Sequence, residues 1–509
     1  MKASKRIMVQ GTGSSVGKSI ITAGLCRLFY KAGYDTAPFK SQNMALNSFI
    51  TEDGGEMGRA QVVQAEACGK KPDVRMNPIL LKPTTDRKAQ VILNGKVHDQ
   101  MDAVTYHAYK GQLKELVQST FDNLVSEHDV VVIEGAGSPA EINLRENDLV
   151  NMGMAEMADS PVLLVGDIDK GGVFASLYGT IMLLAPEERA RVKGLIINKF
   201  RGDIDILKPG LDMIEELTNI PVLGVIPYAV LKIEDEDSLS ERFKREKDLS
   251  QKIQIEVLYL PHVSNFTDFN IFEIQPDVHL RYVMRGESIG SPDILIIPGS
   301  KNTIEDLMYL KNAGLDEQII KLYRTGKRVV GICGGYQILG KVIKDPHATE
   351  SAIDQINGLG LLDVDTIFEM EKTTTQVEAM TTGFNKELSV LNGQVVKGYE
   401  IHMGQTTRHS GSPLNVITTR LSESVSVEDG AISEDGRIFG TYIHGIFDSQ
   451  FFTEQFLNVI RMEKGIAQLN GEGLTYEAFK EQEYDKLAEL LESALDMDKI
   501  YEIVGLKKG

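Results

Sequence analysis

Short, almost wholly apolar runs recur along the chain, each closed by glycine or a polar turn and followed by a stretch with helical spacing. In the first half they fall at residues 7–10, 35–39, 129–133, 161–165, 194–198 and 222–226; in the second, at 253–260, 293–297 and 328–330. Apolar runs of this length suit strands buried on both faces, and the helical segments between them suit crossover connections. The predicted fold class is therefore α/β: a doubly wound, mostly parallel sheet first, then a second α/β domain. Charge is dense and apolar residues sparse from 234 to 252, which predicts a linker at 236–252 between domains at 1–235 and 253–509. From Tyr476 onward, apolar spacing of three and four through Leu487, Leu490, Leu491 and Leu495 predicts a helix. Its role, packing or an interface, stays open, and with it a homo-oligomer.

Composition narrows the function. Of 509 residues, 42% are hydrophobic and 25% charged, as in ordinary soluble proteins. A net charge of −19 argues against a nucleic-acid partner. Three cysteines without a CxxC pair fit a reducing compartment and exclude a disulfide framework. The basic start at 1–6 is followed by only Ile7-Met8-Val9 before polar residues, too short for a signal peptide, and no 18-residue apolar span occurs. A cytoplasmic protein without membrane contact is expected.

Two stretches carry chemistry. The strand at 7–10 runs into Gly11-Thr12-Gly13-Ser14-Ser15-Val16-Gly17-Lys18-Ser19 and a helix at 20–32. That order makes a phosphate-binding loop: backbone N–H groups wrap a β-phosphate, Lys18 reaches between phosphates and Ser19 ligates Mg²⁺. The strict pattern has its first glycine at position 12; here glycines stand at 11 and 13, a variant spacing. Glu134 ends the strand at 129–133, the position of a second Mg²⁺ ligand. Asp167, Asp169 and Asn198 end further strands; Asn198 suits an adenine edge or a cap. Lys40, Gln42 and Asn43 follow the second strand and face the same crevice. Arg59, Gln61, Gln64, Asn77, Lys82, Arg87 and Lys88 add a polar, cationic rim suited to a small polyanionic carboxylate substrate.

The other stretch is Gly331-Ile332-Cys333-Gly334-Gly335-Tyr336-Gln337, again strand, sharp turn and helix. Such an elbow lifts the thiol of Cys333 into a pocket, with the Gly334 N–H placed to meet an oxyanion. The turn at Gly299 and Ser300 ends another strand and completes that hole. A thiol nucleophile needs a base. His444, at a strand end, is favoured over His402 in Gly398-Tyr399-Glu400-Ile401-His402-Met403-Gly404.

These residues resemble known families. Cys333 in Gly-Ile-Cys-Gly-Gly-Tyr-Gln with a distant His444 looks like the class I glutamine amidotransferases, in which the thiol attacks the glutamine amide and ammonia leaves. Most members carry Glu two residues after the histidine, where this chain has Ile446, so the resemblance implies a Cys–His dyad. The front half, Gly-Thr-x-x-x-Val-Gly-Lys-Ser with Glu134-Gly135-Ala136-Gly137, resembles dethiobiotin synthetase, which activates a carboxylate with MgATP. Ser41-Gln42-Asn43-Met44, Gly58-Arg59-Ala60-Gln61, Met76 through Pro83 and Asn147-Asp148-Leu149-Val150-Asn151-Met152 look like the cobyric acid synthases over the whole length. That resemblance implies glutamine- and MgATP-dependent amidation of a corrinoid substrate, with Lys40 and Asp148 in the substrate crevice and Asp148 assisting ammonia deprotonation. Cobyrinic acid a,c-diamide synthases share both domains and are the alternative. ATP-switch proteins that partition DNA share the loop but carry a lysine where this chain has Gly13.

Overall fold

The computed structural model describes residues 4–84, 88–234, 252–469, 471 and 475–507. Arg87 and all of the expected linker except Lys252 lie outside them. The chain divides into two compact units: Met1–Ala45, Met57–Glu236 and Glu477–Gly509 form one, Leu46–Glu56 and Asp237–Tyr476 the other. Two segments thus stand on the opposite side from the expected division at 236–252. Among the described residues no helix is long and apolar enough to cross a membrane.

The first unit is built on a six-stranded parallel sheet. Its spatial order is Val222–Pro227, Val192–Phe200, Val162–Asp167, Lys5–Gly11, Val130–Glu134, Thr36–Phe39. The Val130–Glu134 strand is buried throughout, as two-sided cover by helices requires. Val9 pairs with Glu134 and Gly11 with Val165, so the glycine loop and Glu134 leave adjacent strands at the same carboxyl edge. Binding sites of open α/β sheets form at such edges. A smaller sheet, Gln42–Met44, Ile79–Pro83, Lys88–Leu93 and Lys96–Asp102, carries Asn43 and Lys82.

The tail helices Tyr476–Ala494 and Met497–Val504 are packing elements of this first unit. Leu487, Leu491, Leu495 and Ile500 join Ile7, Leu25 and Phe29 in one buried cluster. The first helix, Lys18–Lys31, approaches them so closely that a Cβ on Gly24 would lie 2.3 Å from Leu491 Cδ1. Arg27 holds the tail electrostatically, at 2.8 Å from Glu481 and 3.0 Å from Asp485. Burial of the leucines supplies most of the attachment, at about 1.5–3 kcal/mol for each side chain.

The second unit has a six-stranded sheet in the order Val278–Val283, Ile253–Leu258, Ile294–Ile297, Arg328–Ile332, Ile438–Thr441, Ala431–Ile432, antiparallel only at the last pair. The cysteine strand is central. A second sheet, not anticipated from the sequence, is dominated by Val364–Thr381 and Val395–Arg408, paired antiparallel. Its alternation of buried and exposed positions is that of strands with one solvated face.

Leu491→Ala should lower the stability of the first unit by about 2–5 kcal/mol. Denaturant unfolding checks this, and an unchanged midpoint would show that the tail is not core.

Candidate active sites

In the first unit the glycine loop is held by its neighbours. Gly17 caps the first helix at φ +102°, and a Cβ there would stand 2.1 Å from Asn198 Nδ2. Only glycine meets both demands. The Asn198 amide donates to the Val16 carbonyl at 2.8 Å, and its oxygen accepts from the Lys199 N–H at 2.9 Å. Asn198 thus clamps the loop through both of its polar atoms, the role of a capping residue. Lys18 is buried and donates to the carbonyls of Gly13 (2.8 Å) and Gly137 (3.0 Å), which aims the amine into the loop.

Glu134 is the node of this site. It is 1% exposed. Its Oε1 accepts from Ser19 Oγ and from Lys40 Nζ, each at 2.8 Å; its Oε2 accepts from Gln64 Nε2 at 2.5 Å and Gln61 Nε2 at 3.4 Å. Lys40, expected at the substrate crevice, therefore stands beside the loop serine. Asn43 continues the chain of bonds by donating to Gln61 Oε1 at 2.9 Å, and Gln42 Oε1 accepts from Tyr106 at 2.6 Å. At the neighbouring strand ends Asp167 pairs with Lys199 at 2.9 Å and Asp169 with Arg201 at 3.3 Å. The Arg201 guanidinium lies 3.5 Å from the centre of the Tyr228 ring. The buried Arg59 is paired with Glu234 rather than lying on a rim.

Asp148, expected in the substrate crevice, is bonded to the backbone of a turn. Its Oδ1 accepts the N–H groups of Val150 (2.8 Å) and Asn151 (3.0 Å), and its Oδ2 that of Gly153 (2.9 Å). Three such bonds tie both carboxylate oxygens to the backbone of the turn. Asp148 positions the turn into the short Met152–Met157 helix.

In the second unit Cys333 follows the central strand with φ +50° and ψ −107°, a strained conformation that costs on the order of 1–3 kcal/mol. Glycine is demanded next to it: a Cβ on Gly335 would come within 1.9 Å of the Ile297 carbonyl. The thiol is buried, 3.7 Å from the Ile401 carbonyl oxygen. Gly334 abuts the turn opposite, since a Cβ there would be 2.9 Å from Ser300 N, and one on Gly299 would be 3.0 Å from His444 Cε1. Elbow, turn and histidine thus converge. Ser300 Oγ is itself anchored on Asp306 at 2.5 Å.

The His444 ring is 1% exposed, and its Nδ1 bonds Asp268 Oδ2 at 2.7 Å. Asp268 Oδ1 also accepts the Gly445 N–H at 3.1 Å. Nε2 has no formed hydrogen bond, although Cys333 is near enough to influence the ring's titration. Burial lowers the ring's pKa, but the Asp268 carboxylate and then Cys333 outweigh it and push it up to about 10. Beside the Cys333–His444 dyad implied by Ile446 there is thus a buried carboxylate, Asp268, bonded to the histidine ring. Asp268 lies on the Phe266–Phe269 turn, 176 residues before the histidine. The only local signal is a polar set, Asn265, Thr267, Asp268 and Asn270, interleaved with phenylalanines and buried with them. His402 is occupied otherwise: its ring stacks on Tyr442 at 3.8 Å and its Nδ1 bonds the Gly404 carbonyl oxygen at 2.8 Å.

A cysteine elbow with a histidine–acid pair in one unit and a glycine loop with a buried glutamate in the other define a glutamine amidotransferase joined to a nucleotide-binding domain. Residues 254–452 match the CobB/CobQ-like glutamine amidotransferase domain, and 7–239 the CobQ/CobB/MinD/ParA nucleotide binding domain. Cobyric acid synthase of Thermoanaerobacter sp. (strain X514) is 56% identical over 98% of both chains. That of Alkaliphilus metalliredigens is 56% identical over 98% of this chain and 99% of its own, and that of Streptococcus sanguinis 54% over the same shares. The chain belongs to the cobyric acid synthase family. Among solved structures, a glutamine amidotransferase aligns at 13% identity over 42% of this chain and 99% of its own, with a TM-score of 0.27.

Asp268→Asn should remove the charge that holds His444 protonated. A group whose pKa is raised on folding contributes stability below its unfolded pKa and loses it as pH climbs to the folded one. The stability difference between parent and variant should be full below about pH 6.5 and shrink toward pH 10. Unfolding measured across that range checks it; a pH-independent difference would uncouple the two residues.

Proposed function

We propose that this protein uses L-glutamine and MgATP to amidate the b, d, e and g carboxylates of adenosylcobyrinic acid a,c-diamide, giving adenosylcobyric acid in cobalamin biosynthesis. The observation that carries the reading is the Cys333–His444–Asp268 set in one unit together with Lys18, Ser19 and Glu134 in the other. The names of the relatives support the substrate, and three free cysteines suit the cytoplasm.

In the glutaminase unit, His444 is charged at neutral pH and stands beside Cys333. The sulfur attacks the glutamine carboxamide carbon, and the oxyanion that forms faces the Gly334 N–H and the Gly299–Ser300 turn. His444 Nε2 gives its proton to the departing ammonia, while Asp268 keeps the ring oriented through Nδ1. Water then releases glutamate from the thioester, with His444 as base.

The nucleotide unit fits a magnesium-bound triphosphate on its own residues. The loop backbone with Lys18 suits the phosphates, and the Ser19 hydroxyl with Glu134 suits a hard cation that keeps water and phosphate oxygens as its other ligands. Bound MgATP supplies the phosphoryl group that makes a corrinoid carboxylate an acyl phosphate, from which ammonia displaces phosphate. Lys18 and Lys40 bring positive charge to the transferring group, and Gln42 and Asn43, on the strand just after Lys40, are the residues we assign to the substrate. Activation is required because a carboxylate is inert toward amines, and shielding from water keeps the ammonia unprotonated.

Cys333→Ala should lower glutamine-dependent amidation by about 10³-fold or more while ammonia-dependent amidation persists. Lys18→Ala should abolish both. Product analysis with cobyrinic acid and with its a,c-diamide as separate substrates, each with MgATP and glutamine, checks these outcomes and the choice of carboxylates. Equal loss of both activities in Cys333→Ala would refute the division of labour.

A further inference from the structure

We propose that Leu46–Glu56 is a strap that makes glutamine cleavage answer to the state of the nucleotide unit, with Tyr399 as the positioning residue it acts through. The inference rests on the amidotransferase reading above. This segment is flanked on both sides by chain of the first unit, yet packs wholly with the second. It leaves the Gln42–Met44 strand, which carries two candidate substrate residues, and returns at Gly58 and Arg59. The return point is firmly held: the Gly58 N–H donates to Asn77 Oδ1 at 3.0 Å, and Arg59 pairs with Glu234.

Within the second unit the strap reaches the neighbours of all three catalytic candidates. The Ser48 carbonyl accepts from the Tyr399 hydroxyl at 3.3 Å, and the Ser48 N–H donates to Asn265 Oδ1 at 3.3 Å. Asn265 Nδ2 donates back to the Tyr399 hydroxyl at 3.1 Å, three residues before Asp268. The Tyr399 ring stacks on the His444 ring, centroids 5.2 Å apart and planes 15° apart. The two residues also exchange backbone hydrogen bonds of 3.1 and 2.9 Å. Phe49 and Ile50 pack on Tyr399 and Ile401, and Ile401 offers its carbonyl to the Cys333 thiol. The strap therefore abuts base, acid and nucleophile through one contact each.

Its anchoring is stiff. Glu56, 1% exposed, accepts from Ser48 Oγ at 2.9 Å and pairs with the buried Lys372 at 2.6 Å, and Gln376 donates to the Ile50 carbonyl. Filling space requires no buried ion pair, and hydrophobic contacts would serve at lower desolvation cost. A stiff segment transmits displacement of its ends. Because His444 Nε2 has not reached hydrogen-bond geometry, small shifts of the stacked ring change how it meets the sulfur.

The test uses the full chain and two conservative variants, Tyr399→Phe, which keeps the stacked ring, and Glu56→Gln. Glutamate release is measured with and without MgATP plus adenosylcobyrinic acid a,c-diamide, beside ammonia-dependent amidation. In the parent, those ligands should raise glutamate release by about fivefold or more, the range of ordinary site–site coupling. Each variant should cut that rise at least threefold, release more glutamate per amide formed, and keep ammonia-dependent amidation within twofold. A rise of parental size in both variants, or no rise in the parent, would overturn the strap. Absence of ammonia-dependent amidation in the parent would instead overturn the functional reading, and the strap with it.

Discussion

The buried ion pair between Asp268 and His444 is the constraint on which the glutaminase unit depends. Two charges removed from water at 2.7 Å are seldom a net gain in stability over an apolar pair of similar shape. Their value is chemical. With Nδ1 tied to the carboxylate, the ring is held in one orientation, and Nε2 is left without a hydrogen bond of its own. The strained backbone of Cys333 adds a second fixed direction, because a residue at φ +50° between packed glycines cannot relax toward the sheet. Cys333 and His444 are thus each fixed from their own side, one by its backbone and the other by a carboxylate.

The nucleotide unit shows the same economy around a single carboxylate. Glu134 collects the loop serine, Lys40 and two glutamines, so the strand tip, the first helix, the second strand and the helix Arg59–Ala67 are tied together at one point. Both oxygens of this buried carboxylate face donors from three other segments. Asn198 and Asp148 serve the scaffold around it. Each spends its polar atoms on backbone groups, and each fixes a turn that a ligand would meet.

What was legible in the sequence was local. Strand, glycine loop, Lys18-Ser19 and helix announce themselves in consecutive residues, as do Glu134 at a strand tip and Cys333 at an elbow. Asp268 was not legible, because its meaning lies in a contact made across 176 residues by a turn without a motif of its own. The long antiparallel pair was missed for another reason. Val364–Thr381 carries Glu369 and Glu371 exposed to solvent, which breaks the apolar run that marked the buried strands. Asn198 was half legible: a polar residue at a strand end suits a cap as well as a ligand, and only its partners decide.

Chain connectivity adds a constraint that neither unit shows alone. The first unit's core is completed by the tail, with Arg27 bonded to Asp485 across 458 residues, and the second unit takes in a segment from near the N-terminus. A single cut at the expected linker would therefore leave the glycine-loop unit without the leucines that cover its first helix. It would also leave the glutaminase unit without the segment bonded to Tyr399.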